Sequence, residues 1–301
     1  MSLTRRRFIT ISAAAATLPL AARAAVPGPV WTGHALGARA SIRLDHPDAA
    51  AIAARVRAEI ERLDVIFSLY REDSAIMRLN REGALDAPPF ELLDCLATAG
   101  AVHAASGGAF DPTVQPLWAL WAEAVTGGGE PAAASIAAVP RGWKGVTLDP
   151  ARIVLAPGMA LTLNGVAQGH IADRVAAMLA GEGLTDIFID TGELRALGGQ
   201  PAGGGWPVTL ESGPRISLAD RALATSAPLG TTFDQAGRLG HILDPRTGAP
   251  VPARWSSVSV SADSAALADA LSTAACVLQT RGEVEAMIMR FPGATLEALA
   301  A

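Results

Sequence analysis

Ser256-Ser257-Val258-Ser259-Val260-Ser261-Ala262-Asp263-Ser264-Ala265-Ala266-Leu267-Ala268-Asp269-Ala270-Leu271-Ser272-Thr273-Ala274-Ala275-Cys276-Val277-Leu278 contains the change of period that sets the fold class. Ser256 to Ala262 alternates small polar residues with Val, the period-2 pattern of a half-buried strand. From Ser264 the pattern becomes a helix that is apolar on nearly every side, which is the mark of burial. Asp269 is the only charge on that helix. Desolvating a lone carboxylate costs on the order of several kcal/mol, so Asp269 needs a partner or a cation. Thr273 lies four residues on and shares the same helix face. A hard cation such as Mg2+ accepts that oxygen pair. The plainer alternative is that Asp269 serves a helix N-terminus or meets an arginine, while Thr273 bonds back to a carbonyl.

Upstream, His241-Ile242-Leu243-Asp244-Pro245-Arg246-Thr247-Gly248 ends in turn chemistry, with Pro presetting φ and Gly free to take positive φ. An imidazole in such a loop is suited to proton transfer near neutrality. It is equally able to do no more than bond to a carbonyl.

The rest of the chain supplies further strands and helices. Val30 to Leu44 reads as two strands around the turn at Ala35-Leu36-Gly37, followed by a helix over Asp48–Phe67 with apolar residues at Ile52, Val56, Ile60 and Leu63. A short helix is expected over Ile76–Asn80 and a longer one over Phe90–Ala105, the latter ending at Ser106-Gly107-Gly108. Arg152–Leu155 and Ala160–Leu163 read as a strand pair. Asn164-Gly165-Val166-Ala167-Gln168-Gly169-His170 then leads into a helix over Ile171–Ala180. A glycine-rich strand-to-helix turn presents backbone N–H groups to an anion, although the spacing is not that of a Walker loop or G-x-G-x-x-G. Tyr70, the only tyrosine, is either a core-edge residue or a platform for an aromatic ring. Asp111 in Ala109-Phe110-Asp111-Pro112-Thr113 either caps the next turn or contacts a ligand.

At 301 residues and 50% hydrophobic content, the chain can bury a large core. Thr4-Arg5-Arg6-Arg7-Phe8-Ile9, an Ala-rich apolar run and Ala22-Arg23-Ala24 read as a twin-arginine signal peptide over residues 1–24, ahead of a domain over 25–301. The expected location is periplasmic, with no stable membrane insertion after cleavage. Removing Arg5, Arg6, Arg7 and Arg23 leaves 20 basic against 29 acidic residues, a charge of −9. That balance argues against nucleic acid as a partner. Cys95 and Cys276 sit in apolar segments and are expected to be buried thiols.

These segments together resemble the ApbE family of FAD:protein FMN transferases. The resemblance runs in order through Phe67-Ser68-Leu69-Tyr70, Gly108-Ala109-Phe110-Asp111-Pro112-Thr113, Asn164-Gly165-Val166-Ala167-Gln168-Gly169, Gly192-Glu193 to Gly198, His241 to Gly248, and Asp269-Ala270-Leu271 through Thr273-Ala274. The twin-arginine start and the Asn-Gly-Val-Ala-Gln-Gly form are similar to the NosX branch. The resemblance implies an α/β, T-fold-related domain with a mixed, largely antiparallel sheet, flanking helices and a cleft between two lobes. It implies FAD as substrate, Mg2+ as cofactor, and transfer of FMN to a Thr or Ser of a redox flavoprotein of the nitrous oxide reduction or Rnf/Nqr type, with release of AMP. By the same resemblance Asp269, the Thr273 hydroxyl and the Gly165 carbonyl hold the metal, and Asp269 and His241 are catalytic, His241 as the base. Tyr70 covers the isoalloxazine, and Leu36, Ala109, Phe110, Asp111, Thr162, Gln168 and Leu243 fall on FAD-contact positions. Four positions depart from the family pattern: Gln168 stands for Lys or Glu, Thr162 for Asp, Leu36 for Met, and Ala227-Pro228 for glycine. FAD pyrophosphatase activity and non-catalytic FAD binding are the competing expectations.

Overall fold

The computed structural model describes residues 30–211 and 213–301; the twin-arginine segment lies outside the described residues. In chain order the elements are β1 (Trp31–Ala35), β2 (Ala38–Arg43), α1 (Ala49–Phe67), α2 (Ala75–Glu82), β3 (Ala84–Asp86), α3 (Phe90–Ala105), α4 (Gln115–Thr126) and α5 (Ala133–Ala138). There follow β4 (Val146–Leu148), β5 (Arg152–Leu155), α6 (Ala167–Gly181), β6 (Ile187–Asp190), β7 (Leu194–Leu197), β8 (Trp206–Thr209), β9 (Arg215–Leu218) and β10 (Ala222–Ser226). The chain closes with β11 (Leu243–Asp244), β12 (Ala249–Pro250), β13 (Ser257–Ala262), α7 (Ala265–Val277), α8 (Arg281–Ile288) and β14 (Thr295–Ala300).

The main sheet has seven strands in the order β1-β2-β6-β7-β10-β13-β14. Every neighbouring pair in it is antiparallel, in keeping with the largely antiparallel sheet that was expected. Strand alternation assigns its two faces. Ile187 and Ile189 of β6 join the main core under the helices, while Phe188 between them packs with Trp206 and Leu218 of the β8–β9 hairpin on the other face. Helix α7 lies against β10, β13, α3 and α6, and α1 lies against α6. A separate apolar cluster gathers Leu117 and Trp121 of α4 with Phe233 and Leu243. Among the described residues no helix is long and apolar enough to cross a membrane.

Three local expectations are corrected. Strand β13 is buried on both faces rather than one. Its serines tolerate this because they find polar partners: Ser259 meets the Thr225 hydroxyl at 2.8 Å and Ser261 meets Glu297. Ala160–Leu163 is not a strand; β5 pairs instead with β3 and β4. The Asn80 side chain holds both the N–H and the carbonyl of Leu161, at 2.7 and 2.8 Å, and the Thr162 N–H goes to the Pro112 carbonyl at 2.8 Å. With these groups satisfied, a ladder has nothing left to bind there. Finally, α6 begins at Ala167, one turn before the expected Ile171, because the Ala167 and His170 amides donate to the Leu163 and Val166 carbonyls. Gly169 is therefore a helix residue. Its missing side chain serves close packing, since a Cβ there would sit 2.2 Å from the Ala265 carbonyl oxygen.

Candidate active site

Helix α7 starts with a strong cap. Ser264 accepts from the Leu267 amide, and the Asp173 carboxylate on α6 accepts from the Ser264 hydroxyl and from the Ala265 and Ala266 amides at 2.8 to 3.0 Å. Asp173 thus supplies the negative charge that the helix dipole favours. From sequence that role is conceivable for Asp269, and nothing local assigns it to Asp173. A charged residue on the inward side of a helix is the available signal.

Asp269 points elsewhere. It is 3% exposed, and its side chain accepts one long hydrogen bond of 3.4 Å from the Gly169 amide in the first turn of α6. No salt bridge joins it to an arginine among the described residues, so of the plainer alternative the fold adopts only the helix N-terminus, and that through this single long bond. Burial pushes its pKa up to about 8. Glu193, in the turn between β6 and β7, is the second buried carboxylate of this region. Burial, and then the charge of Asp269, hold it well above the usual range, and its Oε2 has no hydrogen-bond partner. In the sequence Glu193 is part of a motif but carries no sign of a role of its own.

Thr273 stands one turn along from Asp269, and Gly165 comes up against it: a Cβ at Gly165 would be 3.0 Å from the Thr273 hydroxyl and 3.2 Å from the Phe110 ring. Asp269, Thr273, Gly165, Gly169 and Phe110 therefore meet in one place. Gln168 reaches the adjacent β6–β7 turn, where a Cβ on Gly192 would be 2.9 Å from its amide nitrogen. Leu36 and Tyr70 form a second group. Leu36 adopts φ of 50° and donates its N–H to Asp64 at 3.1 Å, and the Tyr70 ring lies over Gly37. Asp111 is buried and caps its own turn, accepting from the Thr113 amide at 2.9 Å and hydroxyl at 2.7 Å. The adjoining Ala109 is buried too, and Thr162 is tied to this segment through Pro112.

His241 lies in the long connection between β10 and β13. Its Nδ1 is 2.9 Å from the Thr231 carbonyl, and the Pro228 carbonyl also faces the ring. A carbonyl only accepts, so a proton on Nδ1 satisfies the Thr231 contact, and in that tautomer Nε2 is the basic nitrogen. Burial lowers its pKa, which keeps the ring neutral near pH 7. Asp244 does not orient it; that carboxylate is paired with Arg246 at 2.9 Å. Leu243 is buried in the α4 cluster.

The donors fit a hard divalent ion. Among the described residues no group of three or more His, Cys, Asp and Glu side chains could hold a metal. The fit rests on one under-bonded carboxylate and one hydroxyl a helical turn apart, with the Gly165 backbone against that hydroxyl, and Mg2+ commonly takes few protein ligands and completes its shell from phosphates and water.

The raised carboxylate has a stability consequence. Between the unfolded value of 3.8 and the folded value of about 8, the folded Asp269 holds a proton that the unfolded chain has released. This contribution is full below the lower value and is lost as pH rises through the upper. The melting temperature of chelator-treated protein is expected to fall from about pH 5 to about pH 8.5, and Asp269→Asn is expected to lessen that fall, Glu193 supplying the remainder. Identical profiles for the two proteins would refute the assignment.

The antiparallel sheet, the covering helices and the oxygen-rich junction at Asp269 define an α/β enzyme. A family model for the ApbE family matches residues 36–295, and the chain belongs to that family. An FAD:protein FMN transferase of Klebsiella pneumoniae is 28% identical over 260 residues, covering 79% of this chain and 74% of that one. The protein of the same name from Escherichia coli is 27% identical over 266 residues, covering 80% and 75%. The crystal structure of the Pseudomonas stutzeri flavinyl transferase ApbE, apo form, superposes with a TM-score of 0.76 at 27% identity, covering 90% of this chain and 93% of that one. The ApbE protein of Thermotoga maritima gives 0.74 at 28% identity, covering 88% and 91%.

Proposed function

We propose that this chain is a Mg2+-dependent FAD:protein FMN transferase that acts on a Thr or Ser of an exported redox flavoprotein. The observation that carries the reading is Asp269, a buried carboxylate with one long hydrogen bond, set beside the Thr273 hydroxyl and the Gly165 backbone. Asp269, Thr273 and the Gly165 carbonyl would hold the ion. When bound there, Mg2+ supplies Lewis-acid stabilisation of the pyrophosphate and of the departing AMP. The chain's own residues do the rest. Tyr70, above the Leu36–Gly37 turn, covers the isoalloxazine ring. Ala109, Phe110, Asp111, Thr162, Gln168 and Leu243 line the dinucleotide. Nε2 of His241 takes the proton of the acceptor hydroxyl as its oxygen bonds to the FMN-side phosphorus, and the bond from that phosphorus to the bridging oxygen breaks to release AMP.

The twin-arginine start supports folding before export and a periplasmic location, with an acceptor of the nitrous oxide reduction or Rnf/Nqr type. Incubation with FAD and Mg2+, with and without such an acceptor, tests the proposal. Flavin fluorescence on the denatured acceptor is expected. Free FMN in the absence of acceptor would support the pyrophosphatase alternative, and unchanged FAD would support simple binding. His241→Ala is expected to slow transfer by about 10²-fold or more while FAD still binds. A wild-type rate in that variant, measured by single-turnover flavin fluorescence, would remove His241 from the mechanism.

A further inference from the structure

Three hydroxyls at the end of β10 and on α7 form a chain in which one proton order satisfies every contact, once Ser272 donates to a carbonyl. Ser272 is fully buried and its hydroxyl lies 3.0 Å from the Asp269 backbone carbonyl. The Ser226 hydroxyl is 2.7 Å from that of Ser272 and 3.2 Å from that of Thr273. Each hydroxyl has one proton to give and two lone pairs to receive. The Asp269 carbonyl cannot donate, so the Ser272 proton is committed to it. Ser272 must then accept from Ser226, and this uses the Ser226 proton. Ser226 is left as an acceptor toward Thr273, so the Thr273 proton points at Ser226.

We infer that Ser226 is a positioning residue which turns the Thr273 hydroxyl into a pure lone-pair donor toward the divalent cation. The inference rests on the metal reading above and adds to it a residue outside the ligand set. An unordered Thr273 hydroxyl would present its proton to the cation for part of the time. With the proton drawn to Ser226, the lone pairs stay available on the side where Gly165, lacking a Cβ, leaves room against Thr273. A further contact keeps the end of β10 in place, since the Cys276 thiol reaches the Ser226 carbonyl at 3.6 Å and joins strand to helix one turn beyond Thr273. Partners of this kind, behind a metal ligand, commonly change affinity by about 10- to 100-fold when removed.

The test is Mn2+ affinity, read by paramagnetic resonance with FAD present, in the full chain and its variants. Ser226→Ala is expected to weaken Mn2+ binding by about 10-fold or more, and Ser226→Thr, which keeps the hydroxyl, is expected to stay near wild type. If Ser226→Ala does not fold, Ser226→Cys replaces it, since a thiol keeps the shape and is a poor partner. Asp269→Ala separates the two ideas. Mn2+ binding lost in Asp269→Ala but unchanged in Ser226→Ala or Ser226→Cys would overturn the positioning role alone. An equal loss in Ser226→Thr would also overturn it, because the effect would then come from packing. Unchanged binding in Asp269→Ala would overturn the metal reading and the positioning role together.

Discussion

Asp269→Ala is expected to reduce FMN transfer by about 10³-fold or more, a loss typical of removing a group that stabilises developing charge. The carboxylate is the anionic group one helical turn from Thr273, so a neutral replacement leaves the Thr273 hydroxyl without a charged partner on its helix, a poor set for a hard dication. Loss of fold does not explain the expected loss of activity. Burial holds the Asp269 pKa at about 8, so the ionised carboxylate destabilises the metal-free protein, and Asp269→Asn fills the same volume without that charge. In chelator at pH about 8, Asp269→Asn is therefore expected to melt no lower than wild type while being as inactive as Asp269→Ala. The check is a time course of acceptor-bound fluorescence together with melting curves. A wild-type rate in either variant would sink the assignment.

Gly169→Ala is the second large effect, and it acts through the backbone. A methyl at this position would lie 2.2 Å from the Ala265 oxygen, 2.4 Å from its carbonyl carbon and 2.6 Å from the Ala266 nitrogen. All three are main-chain atoms at the capped start of α7, so no side chain can turn aside. Helices α6 and α7 must separate, which breaks the Asp173 cap and carries the Gly169 amide away from Asp269. Overpacking of this kind costs about 3 kcal/mol. That is a large share of the stability of an ordinary domain, and soluble expression of the variant is expected to fall sharply. A melting temperature within about 2 °C of wild type would show that the contact is looser than described.

Much of this site is legible in the sequence because its residues break local rules. Asp269 is a lone charge in an apolar helix, and the helix is as buried as that pattern implies. The end of α3 is readable because Ser106, Gly107 and Gly108 stop it. Other features are hidden by long-range partners. Nothing near Leu161 announces that Asn80, 81 positions away, takes over its backbone groups. Gly169 reads as a turn because glycine signals both turns and close packing, and only the position of Ala265 distinguishes the two. Asp173 and Ser226 escape notice for a similar reason: capping and proton ordering depend on which helix lies opposite, and a single strand or helix pattern does not encode that.

The small apolar cluster around Trp121 and Phe233 has a consequence for how such a protein can change. The stretch bearing His241 and Leu243 is fastened to this annex: Trp121 donates to the Gly248 carbonyl at 2.8 Å and Arg141 to the Pro245 carbonyl at 2.8 Å. Asp269 and Thr273 sit on a helix of the main core, which Ile242 of that same stretch also joins, while Leu243 beside it packs in the annex. The His241 stretch is thereby stitched between two interiors. Substitutions around Trp121 are expected to shift how that stretch is set, His241 and Leu243 with it, while the packing beneath Asp269 stays as it was.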